Sequence, residues 1–158
     1  MKSGEKNLKV CFAASSGGHY EQLTMLKPLM QKYDSFVVTE KTGYSTEIEG
    51  EKMYYMEQVN RKESTFIPRM IVNLLRSMKI YFVEKPDVII CTGVLAMIPL
   101  CLIAKLHHKK LIYIESFAKV TSATETGKLM YRFADQFYVQ WQSMKEVYPN
   151  ALYLGGIY

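Results

Sequence analysis

The apolar positions of this chain fall into short blocks whose period changes from one block to the next. Residues 8–14 (Leu-Lys-Val-Cys-Phe-Ala-Ala) are a nearly unbroken apolar run, as in a strand buried on both faces. Over 18–31, Leu23, Leu26, Leu29 and Met30 recur at helical spacing. Two more strands are predicted at 35–39 and 53–56, with a polar, glycine-punctuated loop over 41–51 between them. The stretch 66–82 places Ile67, Met70, Ile71, Leu74, Leu75, Met78, Tyr81 and Phe82 close to one continuous helical stripe. Pro86-Asp87 then opens a strand at 88–91, followed by a helix over 93–106, a strand at 110–114, a helix at 126–133 and short strands at 136–140 and 151–154. Strands alternating with helices imply a mostly parallel sheet with right-handed crossovers. No repeat, linker or low-complexity segment divides the chain, so the pattern predicts an α/β fold, a single Rossmann-like domain over 1–158.

One block admits a second reading. Residues 88–104 carry no charge and approach the length of a membrane-spanning helix. Gly93 after the β-branched run Val88, Ile89, Ile90, then Pro99 and the closing Lys105, favour strand, turn and buried helix instead. Composition adds that 49% of the 158 residues are hydrophobic, enough to fill one core and to exclude a disordered chain. Twenty Lys and Arg against 15 Asp and Glu give a net charge of +5, which favours anionic partners without choosing among phosphates, nucleic acids and acidic lipid headgroups. Cys11, Cys91 and Cys101 sit in apolar runs without metal-ligand spacing and read as reduced, buried thiols of a cytosolic protein. The polar start, 1–7, and the short apolar run after it do not form a signal peptide.

In a parallel α/β sheet, ligands bind beyond the carboxyl ends of the strands. The residues there are Ser15-Ser16-Gly17-Gly18-His19 after the first strand, Thr92-Gly93 after the fourth and Glu115-Ser116 after the fifth. The first motif ends a strand and opens a helix, where glycines let backbone amides approach a phosphate. It also suits a plain strand-to-helix turn. His19 reads either as a general base or donor to an acceptor phosphate, or as a cap of its own helix. Glu115 reads as a base or acceptor for a sugar hydroxyl, or as a helix N-terminal charge paired with Lys119 or Arg132. Neither G-x-G-x-x-G nor a P-loop is present, and Glu40 is the only carboxylate near the distance of a ribose-binding residue, which weighs against a dinucleotide or ATP enzyme. His107 and His108 are adjacent and point to different sides, so no metal is assigned and no cofactor is expected.

The 66–82 helix interleaves its apolar stripe with Arg69, Arg76 and Lys79, and Arg61, Lys62 and Lys85 flank it. That is the composition of a helix lying in an anionic membrane interface, and equally of a core-packing helix with a solvated cationic face. Its periodicity is the same in both cases.

Taken together, the strand before Ser15-Ser16-Gly17-Gly18-His19, the run Asp87-Val-Ile-Ile-Cys-Thr-Gly93, Tyr113-Ile-Glu-Ser116, Ala134-Asp135 before Gln140-Trp141, and Leu154-Gly-Gly156 resemble the bacterial polysaccharide-biosynthesis relatives of the eukaryotic dolichol-pathway N-acetylglucosaminyltransferase accessory subunit. The pattern is also similar to the N-terminal half of the fused GT-B enzyme that makes lipid II. The resemblance implies one half of a two-component, UDP-sugar-dependent glycosyltransferase of capsular or exopolysaccharide synthesis, with a separate donor-binding partner. It implies an undecaprenyl-diphosphate-linked saccharide as acceptor, a peripheral position at the cytoplasmic face of the cell membrane, and no nucleic acid.

Carried to this sequence, it implies that Ser16, Gly17, Gly18, Thr92, Gly93 and Ser116 bind the acceptor, with His19 or Glu115 catalytic. Arg69, Arg76 and Lys79 would face the membrane, and Gly155, Gly156, Ile157 and Tyr158 would dock the partner. The eukaryotic subunit has an N-terminal membrane helix without a counterpart in this sequence, so attachment would fall to the amphipathic helix and the 88–104 region. The glycine loop is also shorter than in the fused enzyme. The alternative is a non-catalytic module that recruits and stabilises a partner transferase.

Overall fold

A computed structural model describes residues 8–44, 46–93 and 95–158. Its strands are β1 (Lys9–Ala13), β2 (Asp34–Glu40), β3 (Lys52–Met56), β4 (Val88–Cys91), β5 (Lys110–Ile114), β6 (Gln136–Val139) and β7 (Leu152–Tyr153). They form one seven-stranded sheet in the order β3-β2-β1-β4-β5-β6-β7. Every neighbouring pair is parallel, with Cys11 beside Phe36 on one flank and Ile89 on the other. The α/β fold expected from the alternating periods is therefore present. The chain runs outward from β1 to β3 and then restarts at β4 on the other side, so the β1/β4 seam is the switch point of the sheet.

The helices are α1 (Gly18–Thr24), α2 (Lys27–Met30), α3 (Phe66–Glu84), α4 (Ile98–Leu106) and α5 (Glu125–Tyr131). Period-two alternation in β1 splits the core: Val10, Phe12 and Ala14 face Leu23 and Met30 of α1 and α2, while Cys11 and Ala13 face the layer that holds α3, α4 and α5. The three cysteines are buried and free.

Several boundaries depart from the sequence pattern. The helix expected over 18–31 is broken into α1 and α2, because Pro28 lacks the N–H that a continuous helix would donate to the carbonyl of Thr24. The helix expected over 93–106 begins with a 3₁₀ turn at Leu95–Met97 before α4. Positions 1–7, 45 and 94, which carried parts of the expected start, loop and helix, lie outside the described residues. The 88–104 block thus forms a strand, a turn and a helix. No helix among the described residues is long and apolar enough to cross a membrane.

The largest surprise is α3, which is turned over relative to its stripe. Its buried residues are Asn73, Ser77, Ile80, Tyr81 and Glu84, whereas Leu75 is 60% and Phe82 53% exposed, with Ile67, Ile71, Leu74 and Met78 exposed beside them. Polar chemistry holds it inward. The Asn73 side chain donates to the Glu57 carbonyl and accepts from the Glu57 amide, both at 2.8 Å. Glu84 accepts from Lys9 at 2.5 Å and also binds Lys52 and the Tyr54 hydroxyl. Most of the apolar stripe therefore lies outside the core, contrary to the core-packing reading of 66–82.

Candidate functional site

All seven strands deliver their carboxyl ends to one edge, and the loops there are laced together at the β1/β4 seam. The Ser15 amide donates to the Gly93 carbonyl at 2.7 Å, and the Thr92 amide donates to Ala13 at 3.1 Å. Gly17 caps α1 at φ 73°, a left-handed conformation that explains a glycine there. Its carbonyl accepts the first intrahelical bonds, from the Tyr20 amide at 2.9 Å and the Glu21 amide at 3.0 Å. The Gly18 and His19 amides precede those bonds, and Gly17 and Gly18 are exposed with open space around them.

His19 is locked into this seam. Its Nδ1 lies 2.8 Å from the Thr92 carbonyl, and the buried Thr92 hydroxyl donates back to the His19 carbonyl at 2.7 Å. A carbonyl oxygen only accepts, so Nδ1 carries a proton, and Nε2 is the ring nitrogen left to act as an acceptor. Gly93 sits under the imidazole at φ 116°, where an added Cβ would come within 2.9 Å of Nδ1. A side chain at 93 would push the ring away.

Ser16 is held from below by a residue that the sequence weighed only for a ribose. Glu40, buried at the end of β2, accepts from the Ser16 amide at 3.1 Å and from its hydroxyl at 2.9 Å. Gln58 donates to the same hydroxyl at 3.3 Å. A carboxylate closing a buried strand was the available signal, the same one that drew attention to Glu115.

Glu115 is sealed just after β5. It is 1% exposed, and both carboxylate oxygens are engaged. They accept from the Ser116 amide (2.9 Å), the Thr124 amide (3.2 Å), the Thr124 hydroxyl (2.9 Å) and the Tyr148 hydroxyl (2.8 Å). Burial, then the bond to Glu115, pushes the Tyr148 hydroxyl well above its ordinary range. An added Cβ at Gly127 would overlap the carboxylate, so α5 approaches as closely as it does only because residue 127 is glycine. The Glu115 side chain therefore sits over the N-terminus of α5, with Thr124 as the cap, and not in a pair with Lys119 or Arg132. Such burial leaves no surface for a sugar hydroxyl. The Ser116 hydroxyl accepts from the Ala118 amide at 3.3 Å.

The carboxyl edge continues through two buried glutamines. Gln140 donates to Gln22 at 2.8 Å and to the Glu115 carbonyl at 2.9 Å, and accepts from the Ile157 amide at 3.0 Å. Residues 155–158 thereby fold back over the sheet edge. Tyr158 meets the Phe117 ring edge-on at 4.9 Å, and Gly156 has only 3.2 Å to that ring at the position of a Cβ. Gly155 turns the chain at φ 98°, and Leu154 just before it is 83% exposed. The structure thus brings together Ser16, Gly17, Gly18, His19, Thr92 and Gly93. Glu115 and Ser116 belong to the α5 cap, and the α3 cations lie away at the β3 flank.

Two of those cations are paired. Arg69 donates to the Gln58 carbonyl at 3.0 Å and pairs with Glu63, while Arg76 pairs with Glu57 at 2.7 Å. Lys79 has no ion pair among the described residues. His107 stacks on Tyr81 at 4.8 Å, and no group of His, Cys, Asp and Glu suited to a metal gathers among the described residues.

A family model described as "Oligosaccharide biosynthesis protein Alg14 like" matches residues 31–157. The human protein named UDP-N-acetylglucosamine transferase subunit ALG14 is 29% identical over 181 residues, covering 96% of this chain and 84% of the relative. Its namesake from Yarrowia lipolytica is 30% identical over 174 residues, covering 94% and 81%. Among solved structures, Acinetobacter baumannii MurG superposes with a TM-score of 0.68 at 16% identity, covering 84% of this chain and 41% of that one. A UDP-N-acetylglucosamine 2-epimerase from Rickettsia bellii gives 0.72 at 12%, covering 95% and 45%. At those identities the likeness is one of fold, and this chain spans less than half the length of either solved chain.

Proposed function

The chain belongs to the Alg14-like family of oligosaccharide biosynthesis proteins, and from that premise we propose that it is one subunit of a two-component glycosyltransferase, the half that holds the acceptor. A separate partner binds the UDP-sugar, and transfer occurs in the cleft between them. The acceptor is an undecaprenyl-diphosphate-linked saccharide of capsule or exopolysaccharide synthesis, presented at the cytoplasmic face of the cell membrane.

The observation that carries this reading is the β1/β4 seam, where the His19 ring is oriented by Thr92 and seated on Gly93 beside the exposed Gly17-Gly18 turn. The turn amides suit the acceptor diphosphate, and Nε2 of His19 suits the attacking hydroxyl, taking its proton as the UDP leaving group departs. Glu115 acts one step back, as a positioning residue for the loop before α5. The exposed apolar arc of α3, with the groove of about 530 Å³ that Ile71 and Leu74 form with Pro99, Leu102 and Leu106, supports peripheral attachment to a bilayer. Residues 155–158, folded over the carboxyl edge next to exposed Leu154, support a docking role for that corner.

The test is transfer from a panel of UDP-sugars to a synthetic lipid-diphosphate glycan by this chain, by its partner and by both. Activity only in the mixture is the expected result. Full transfer by this chain alone overturns the half-enzyme reading. The burial of Glu115 favours one second reading, a non-catalytic enhancer, because it leaves His19 as the single candidate base. If His19→Ala leaves the rate of the mixture intact, the enhancer reading replaces the first.

A further inference from the structure

The flank between β3 and α3 holds two adjoining cavities, of about 550 and 240 Å³, that share Tyr55 and Arg76. Lys41 and Tyr44 line the larger one and Lys79 the smaller one. Lys41 continues the β2/β3 ladder, its amide donating to the Met56 carbonyl at 2.8 Å, so its position is set by backbone. Its side chain is exposed and has no ion pair among the described residues. Arg76 is pinned by the Tyr55 carbonyl at 3.2 Å and by Glu57 at 2.7 Å. These contacts use two of the five guanidinium N–H groups and leave the others open. Among the described residues, Glu47 on the rim is the one carboxylate lining either cavity.

On α3 the cations lie toward one edge of the exposed apolar surface. At 100° per residue, Leu74, Met78, Ile71, Phe82 and Leu75 span one arc, Lys79 follows it, and Arg76 comes next after exposed Val72 and Val83. A bilayer that receives the apolar arc therefore brings its headgroup layer level with Lys79, Arg76 and the mouth of the groove. Tyr55 and Tyr44 add ring surface and phenol hydroxyls. This is a pocket of fixed arginine, free lysine and phenol, the donor set that a phosphate takes.

We propose that the β3–α3 groove is a phosphate site for the head of an anionic phospholipid, with Lys41 and Arg76 on the phosphate oxygens. It rests on the membrane attachment proposed above and adds to it a defined contact. The site is separate from the His19 seam. It orients the chain on the bilayer, because the headgroup contact lies on one side of α3 only.

The experiment is cosedimentation of the whole chain with phosphatidylcholine vesicles and with equimolar phosphatidylcholine and phosphatidylglycerol. Binding to the anionic vesicles is expected to fall about fivefold for Lys41→Gln and again for Arg76→Gln. Lys27→Gln, which removes one exposed charge from the opposite face, is expected to cost less than about twofold. Equal losses for Lys41→Gln and Lys27→Gln mean diffuse attraction and overturn the site. Because Arg76 also pins Glu57, the comparison of Lys41→Gln with Lys27→Gln decides between the outcomes if Arg76→Gln unfolds. Leu75→Ser with Phe82→Ser reads the attachment separately: if it abolishes binding while Lys41→Gln and Arg76→Gln do not, attachment stands and the site falls. If no vesicle binds the wild type, both readings of the membrane fail. A site for soluble inorganic diphosphate then replaces them if that ion shifts the Lys41 and Arg76 resonances.

Discussion

At Gly127 a hydrogen atom occupies the space between α5 and the carboxylate of Glu115. Gly127→Ala puts a methyl group into the Glu115, Thr124 and Tyr148 contacts, and is expected to cost about 2–3 kcal/mol in urea unfolding. Gly93→Ala acts differently. It forces an L side chain into φ 116° and against the His19 ring, so it should cost stability of about 1–3 kcal/mol and also displace the imidazole. Transfer by the assembled pair should then fall more for Gly93→Ala than for Gly127→Ala at matched folded fraction. Equal falls would remove the special role given to the seam. Gly93 reads as a turn residue from the sequence and Gly127 falls within a predicted helix, but the neighbours of neither could be read there. Glu115 lies twelve residues from Gly127, and His19 lies far from Gly93 in the chain, so only the closed sheet brings them into contact.

Among the elements, α3 is the one whose energetics run against its composition. Asn73→Ala deletes two hydrogen bonds to the Glu57 backbone and strands a part-buried amide and carbonyl, so it is expected to cost about 2 kcal/mol. Leu75→Ser, on the exposed arc, should stay within about 0.5 kcal/mol by the same measurement. The end of the helix is pH-sensitive. Burial alone would raise the Glu84 carboxyl, but hydrogen bonds from Lys52, Lys9 and Tyr54 outweigh it and bring it from its ordinary 4.5 down to about 2. A depressed folded-state value means stability that is present above 4.5 and lost as the pH falls toward 2. Urea midpoints across that window should drop in the wild type and flatten in Glu84→Gln. The 66–82 period marked the helix correctly and left its orientation open, because an apolar stripe is the same whether it meets a core or a lipid surface.

For the molecule as a whole, the sheet spreads its carboxyl ends into one crest on which the His19 seam, the α5 cap and the returning residues 155–158 stand side by side. The proposed division of labour has the acceptor at the seam, the bilayer along α3 and the partner at the corner near Leu154. It is expected to show as synergy in the transfer assay, with the mixture far above the sum of the two subunits.

What the amino-acid order determined by itself was local: the period of each strand and helix, the parallel architecture that their alternation forces, and the cluster of small and polar residues at the strand ends. Those follow from steric and solvation preferences acting over a few neighbouring residues. The tertiary structure alone decided which face of α3 turns inward, that Glu115 is sealed beneath Thr124 and Tyr148, and that Glu40 supports Ser16. Each of those depends on whether a buried polar atom finds its partner, and the partner is supplied by a different part of the chain.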